Sequence, residues 1–564
     1  MKVCDLPYRR VTLEEMQQKL GHATQAVKDA ATVEQVLAAR QEMVAAMKDY
    51  STASSLSYMR FSINTVDPFY VAEKDYYDEI SPAVENLSYE YACAMLDSPL
   101  RPQLEKVLNP VLFQSFEVQR KAISPAILDD MVEENKLVSR YSSLMSGMEF
   151  TFRGETMPRS MLMKYAKDDD RATRKEAYTQ LGLGLQAHAA ELDEIFDQLV
   201  HVRDRMAKKM GYQNFVELGY YRMQRLCFDQ QKVEAFRQNI LTDVVPVVQR
   251  LRTENAKHMG IDRFMVYDYD VVVPGGDPKP SVDKAGIFAA AKDMSHAMSP
   301  DTAKFIDMML ENEAFDVDSR RNKWGGGYCT EFANFKQPFI LANFNGTAGD
   351  VDVLTHEAGH AFNAYMIADN EYAIELGCGG METAETHSMS MEFFAWPYMD
   401  KFFGSNAGRY RYMHALDALS FLPYGTMVDA FQHIVYEKPD LTPAERKAAW
   451  RELESQFRPF VHFDGIPYLE EGTRWQYQMH IYESPFYYID YCLAQTAAFG
   501  FLLASQKDYA DAFARYIRLL KQGGERVWTD LLAEAGLPSP FGPGALHTLA
   551  EGVEGLLRHI QPEF

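Results

Sequence analysis

Cysteine is scarce in this 564-residue chain. There are six (Cys4, Cys93, Cys227, Cys329, Cys378 and Cys492), and no two are spaced as a CxxC pair. Thiols scattered this thinly argue against a disulfide framework and fit a reducing compartment. Long apolar runs are missing too. The best candidate, residues 491–504, is interrupted by Gln495 and Thr496, short of the roughly 18 residues that a membrane span needs. The N-terminal MKVCDLPYRRVTLEE holds no apolar signal core. Positive charge is in deficit, with 57 Lys and Arg against 80 Asp and Glu and a net charge of −23. A phosphate backbone selects a basic face, so a nucleic-acid partner is not expected. No repeat of fixed period points to a solenoid. The expectation is a cytoplasmic protein with neither membrane nor nucleic-acid partner.

What remains is ordinary globular composition, 47% hydrophobic and 24% charged, in a chain long enough for two or more lobes. Most of it reads as helix. From Thr12 to Tyr50 apolar residues recur at three- and four-residue steps, with Thr12 ahead of Glu14 and Glu15 as the start signal. Similar patterns fill residues 70–145 and 170–260. Strand signals are few. Residues 148–162 read as a hairpin turning at Gly154, and MVYDYDVVV (265–273) as a strand before a loop, with Ser281 capping the next helix. Residues 322–350 place the flexible turn Gly325–Gly327 before the strand-like FILANF (339–344), which reads as an edge strand. Asn345-Gly346 closes that strand, and a helix begins near Thr347 or Asp350.

That helix carries LTHEAGHAF, residues 354–362. Residues i and i+4 of a helix lie on one face, so His356 and His360 can reach one ion, while Glu357 beside them can hold a water and take its proton. With 14 histidines in the chain, roughly 0.02–0.03 chance HExxH matches are expected. A catalytic zinc needs a third protein ligand. METAETHSMSMEFFAW, residues 381–396, puts Glu385, Ser388, Met389 and Glu392 on one helical face. Two carboxylates on a buried face are costly unless paired or metal-bound. Glu385 is therefore the third ligand, and Glu392 is placed to accept the free N–H of a ligand histidine. Glu382 and His387 read as solvated surface residues.

HEAGH followed by the spacing E-x-x-S-x-x-x-E at 385–392 resembles the thimet oligopeptidase and oligoendopeptidase F family of zinc peptidases. NFNGTAGDV before the histidines and GYQNFVELGYYRM at 211–223 belong to the same resemblance, which runs from about residue 110 to the end. It implies a mainly α fold, a large two-lobed helical shell around an internal channel, with a small antiparallel sheet beside the zinc helix. An N-terminal helical region at 1–195 would form part of the channel wall, and 196–564 would be the catalytic region. The implied cofactor is one Zn2+ per chain, although manganese or cobalt could replace it in vitro. In MHIYESPFYYIDYCLAQ (479–495) the resemblance assigns His480, Tyr488 and Tyr491 to stabilising the oxyanion, leaving Tyr482 and Tyr487 as core aromatics. Many relatives carry a third histidine where this chain has Asn363.

The expected activity is hydrolysis of internal bonds in short unstructured peptides, its partners those peptides. A peptidyl-dipeptidase or carboxypeptidase of the same chemistry stays open, as does a non-catalytic zinc- and peptide-binding protein. The first would need a cationic group for the substrate's terminal carboxylate, and the second has no use for Glu357.

Overall fold

The computed structural model describes residues 1–560 and is mainly helical. Three long helices open the chain, Leu13–Asp29, Val33–Ile63 and Pro68–Asp97. Thr12 starts the first as expected: its hydroxyl accepts from the Glu15 N–H, and the Glu15 carboxylate accepts from the Thr12 N–H. Thr32 and Gln35 repeat the device on the second. Their apolar stripes, including Met16, Leu20, Val36, Met43, Ile80 and Tyr91, close a core of their own over residues 11–116. Helices further along, with Leu181, Leu192 and Ile195, pack into the larger second core. The smaller core thus takes only part of the 1–195 region, and helix Ala189–Lys209 runs through its far boundary.

The smaller core also recruits Tyr372 and Leu376, from the segment that follows the histidine helix. The Tyr372 hydroxyl accepts from the Asn109 N–H at 3.0 Å, and the Arg40 guanidinium grips the Glu375 carboxylate. The two parts of the chain are pinned together beside the site.

Strands β1 (Glu149–Phe152) and β2 (Glu155–Pro158) form the expected hairpin about Arg153 and Gly154, both at positive φ. β3 (Phe315–Asp318), β4 (Tyr328–Phe332) and β5 (Gln337–Phe344) make a second sheet in the order β3-β5-β4. It is mixed, because β5 runs parallel to β3 and antiparallel to β4. This corrects the reading of 339–344 as an edge strand. β5 is the middle strand, buried from Gln337 to Ala342, as a continuous apolar run covered on both faces should be. The edges are β3 and β4, and β4 is only partly buried from Tyr328 to Glu331.

Two other expectations fail for polar reasons. Residues 265–273 form no strand; Val266–Asp268 is a single tight helical turn, joined to the rest by one bridge from Met265 to His462. The Asp268 carboxylate accepts from the Met265 N–H at 2.9 Å and pairs with Arg171 and Arg174, which curls the backbone locally. Helix Lys284–Met298 is capped by Asp283 and not by Ser281, whose hydroxyl donates to the Phe402 carbonyl. Among the described residues no helix is long and apolar enough to cross a membrane.

Candidate metal centre

The histidine helix, Gly349–Ile367, leaves β5 through a turn that Asp350 builds. Its carboxylate accepts from the N–H groups of Asn345 and Gly346, both at 2.8 Å, with Gly346 at positive φ. The glutamate helix, Met381–Phe394, crosses it closely. A Cβ at Gly359 would lie 2.6 Å from the Ser388 Cα and 2.7 Å from the His387 carbonyl oxygen. The glycine inside HEAGH is thus what lets the two helices meet.

Their meeting brings three donors together. One ligand atom from each of His356, His360 and Glu385 lies within 4.8 Å of the other two. His356 Nε2 is 3.4 Å and His360 Nε2 3.6 Å from Glu385 Oε2. Two imidazole nitrogens and a carboxylate oxygen, converging from two rigid helices, fit zinc. Burial would raise the Glu385 pKa, but the two histidines outweigh it and hold the carboxyl well below its usual range.

The outward side of His356 is fixed by a chain of partners. His356 Nδ1 meets Glu392 Oε1 at 2.7 Å, and Glu392 Oε2 meets His414 Nε2 at 2.7 Å. The Trp396 indole, which can only donate, gives its N–H to His414 Nδ1 at 3.0 Å. His414 must therefore carry its proton on Nε2 and donate to Glu392. The carboxylate then accepts from both rings, which leaves His356 Nε2 turned toward the three-donor centre. Burial would raise the Glu392 pKa, but the two histidines hold it down at about 2.

Glu357 and the three donor residues line a cleft of about 500 Å³, together with Gly327 and the β4 residues Tyr328–Glu331. Burial raises the Glu357 pKa, against the opposing pull of His356 and His360. Tyr487 and Tyr491 line the same cleft. Their rings lie 4.9 Å apart, and the Tyr487 hydroxyl donates to Glu385 Oε1 at 2.8 Å. The His480 ring centre is 4.8 Å from that of Tyr488 and 6.0 Å from that of Tyr491. The Tyr424 hydroxyl donates to Gln478 Oε1, so the Gln478 amide donates to His480 Nδ1. That places the His480 proton on Nε2, and burial keeps the ring neutral by lowering its pKa. Tyr488, like His480, stands behind the residues that line the cleft, edge-on to Phe421 and Tyr424.

With this geometry in place, comparison with known proteins is direct. A model of peptidase family M3 matches residues 163–275 and 290–550, and one of the peptidase M3 N-terminal domain matches residues 4–123. The chain belongs to peptidase family M3. A structure of Pz peptidase A with an inhibitor superposes with a TM-score of 0.94 at 41% identity, covering 100% of both chains. A Bacillus anthracis protein described as an oligoendopeptidase F gives 0.88 at 38% identity, covering 100% of this chain and 99% of that one. Oligopeptidase PepF of Bacillus subtilis is 25% identical over 304 residues, which are 52% of this chain and 44% of that protein. The oligoendopeptidase F homolog of Borreliella burgdorferi is 21% identical over 428 residues, 72% of this chain and 70% of that one.

Three readings of the M3 peptidase's sequence need correction. Glu382 and His387 are 3% and 1% exposed, not surface residues. The glutamate helix is enclosed by the histidine helix, by helix Tyr488–Ser505 and by Tyr516 and Trp528, whose polar groups bond the His387 carbonyl and the Thr386 hydroxyl. Tyr487 is no core aromatic, since its hydroxyl holds the third donor residue. Asn363 lines the cleft and donates through Nδ2 to the Leu520 carbonyl.

The tyrosine segment also has a clamp that the sequence did not announce. Phe486 stands at φ +67, a left-handed backbone. Gln432 Oε1 accepts from its N–H at 3.0 Å, and Arg225, itself paired with Asp490, donates to its carbonyl. The ring fills a box made by Phe215, Gly219, Tyr220 and Tyr436. Much of GYQNFVELGYYRM is spent on this box, one residue ahead of Tyr487.

Proposed function

We propose that this M3 peptidase is a zinc-dependent oligoendopeptidase that hydrolyses internal bonds of short unstructured peptides. His356, His360 and Glu385 would hold one zinc ion per chain. A zinc ion there supplies Lewis acidity, polarising the peptide carbonyl and making a nearby water more acidic.

This chain's own residues do the rest. Glu357 takes the proton of the attacking water and passes it to the departing amine; burial raises its basicity, which favours that exchange near neutral pH. The neutral His480 donates from Nε2 to the charge that develops on the carbonyl oxygen, joined by the Tyr488 and Tyr491 hydroxyls. Burial raises both tyrosine pKa values, so each keeps its proton to donate. Tyr487 orients Glu385, and Glu392 orients His356. The substrate backbone lies extended along the free edge of β4. A folded protein cannot present such a strand to a cleft of about 500 Å³.

The observation that favours internal cleavage is the charge of the cleft. Among the described residues no lysine or arginine lines it, so it offers no lysine or arginine cation to a terminal carboxylate. The test is digestion of peptides blocked at both ends, in a ladder of lengths, beside a native globular protein, with products read by mass spectrometry. Blocked peptides should be cut at internal bonds and the globular protein left whole. Release of dipeptides from free C-termini alone would refute the reading.

A further inference from the structure

Past the three donor residues the cleft continues along the last turns of the histidine helix. There Asn363, Ala364 and Ile367 line it together with Cys378, Met381 and Ala384. This wall is neutral or apolar. The exception is Glu331, on the edge strand β4. Side chains alternate along a strand, so Glu331 shares the cleft face with Cys329. The Cys329 thiol feels the charges of both Glu357 and Glu331, and the Cys378 thiol feels Glu331 as well.

The Glu331 carboxylate makes no hydrogen bond or ion pair with any described residue. The charge that acts on it, Lys48 of helix Val33–Ile63, does so only at a distance. Partial burial raises the Glu331 pKa, as for a carboxylate shielded from some of its water without a partner in return. Such a group costs stability unless something cationic completes it. Nothing on the cleft wall does, so the cation has to arrive with the substrate.

We propose that Glu331 is a specificity determinant that receives a cationic group of the peptide, either a Lys or Arg side chain or the peptide's own amino end. A Cβ at Gly327 would lie 3.9 Å from Glu357 Oε1, and Glu331 stands four residues further on, about 13 Å of extended chain. The cation is therefore carried a few residues from the bond that is cut. An Arg side chain can bond the carboxylate with two N–H groups at once, and a Lys with one.

This inference rests on the peptidase reading, and its test separates the two. Peptides of one length, blocked at both ends, carry Arg, norleucine or Glu at each position flanking a fixed scissile bond. A second set leaves the amino end free. At one position the wild-type kcat/KM for Arg should exceed that for norleucine by about 10-fold to 100-fold, the range of a partly buried charged hydrogen bond. In Glu331→Gln that ratio should collapse toward one, and in Glu331→Arg the Glu peptide should become the better substrate. A preference confined to free-ended peptides would assign the cation to the amino terminus. If Glu331→Gln cuts the series with the wild-type ratios, the inference is wrong and the peptidase reading stands. A wild-type enzyme that cuts none of these peptides takes both down.

Discussion

Replacing Glu392 by glutamine keeps the shape and removes one acceptor. Two rings present N–H groups to this side chain, His356 through Nδ1 and His414 through Nε2. His414 cannot adapt, because the Trp396 indole N–H occupies its Nδ1. Glutamine has one carbonyl oxygen for the two rings. If His414 takes it, His356 faces an NH2 group and must accept at Nδ1, moving its proton to Nε2, the nitrogen turned toward Glu385. A protonated nitrogen cannot bind metal. If His356 takes the oxygen, the His414 N–H is left buried against the NH2 group. Loss of such an outer partner typically weakens metal binding about 10-fold to 100-fold, or ~1.4–2.8 kcal/mol. The assay is zinc competition against a chelating dye, with thermal melting to confirm the fold. Trp396→Phe supplies the control. With the indole N–H gone, His414 can move its proton to Nδ1 and accept from glutamine, so Glu392→Gln with Trp396→Phe should bind zinc more tightly than Glu392→Gln alone. Unchanged affinity in Glu392→Gln, or no recovery in the double variant, would refute the reasoning.

Glu357→Gln should keep its zinc and lose about 10²-fold to 10⁴-fold in kcat, as removal of a positioned base does; normal turnover with zinc bound would dismiss Glu357 as the base. Arg225→Gln with Asp490→Asn removes a buried pair without stranding either charge, and it frees the left-handed turn at Phe486, whose strain is worth about 1–3 kcal/mol. It should lower kcat, and its effect should shrink in a Tyr487→Phe background, because both act through the placement of the tyrosine segment; additive losses would deny that link. Glu134 is buried between Arg203 and Arg222, which overcome the burial penalty and hold its pKa at about 2. A depressed folded-state pKa contributes stability that is complete above the ordinary carboxylate range and is lost as pH falls toward the folded value. Between about pH 5 and about pH 3 the wild-type Tm should therefore fall more steeply than that of Glu134→Gln.

The sequence made the centre of the site legible because its parts are local. The spacing of His356 and His360 on one helix, and of Glu385 and Glu392 on the next, sets their faces without knowledge of the rest. What stayed hidden depends on distant partners. His414 reaches Glu392 from the long helix Ala407–Glu437, and no pattern around it marks that role. Glu382 and His387 looked solvated because a helix enclosed on several sides has no polar stripe to contradict that reading. Tyr487 shares a helical face with Tyr491, four residues on, but its partner Glu385 lies about a hundred residues away, and nothing local to the tyrosines announces that contact. FILANF reads equally well as an edge or a middle strand, and only its pairing with β3 decides. Asp268 turned an alternating stretch into a helical turn through arginines almost a hundred residues away.

The central claim is that one zinc ion, held by His356, His360 and Glu385, makes the chain an endopeptidase. Protein stripped of metal and titrated with zinc, while a peptide blocked at both ends is hydrolysed, tests it most directly. The rate should climb from near zero and break at one equivalent per chain, with no such rise in Glu385→Gln. Hydrolysis that persists without metal, or a break at two equivalents, would contradict the account.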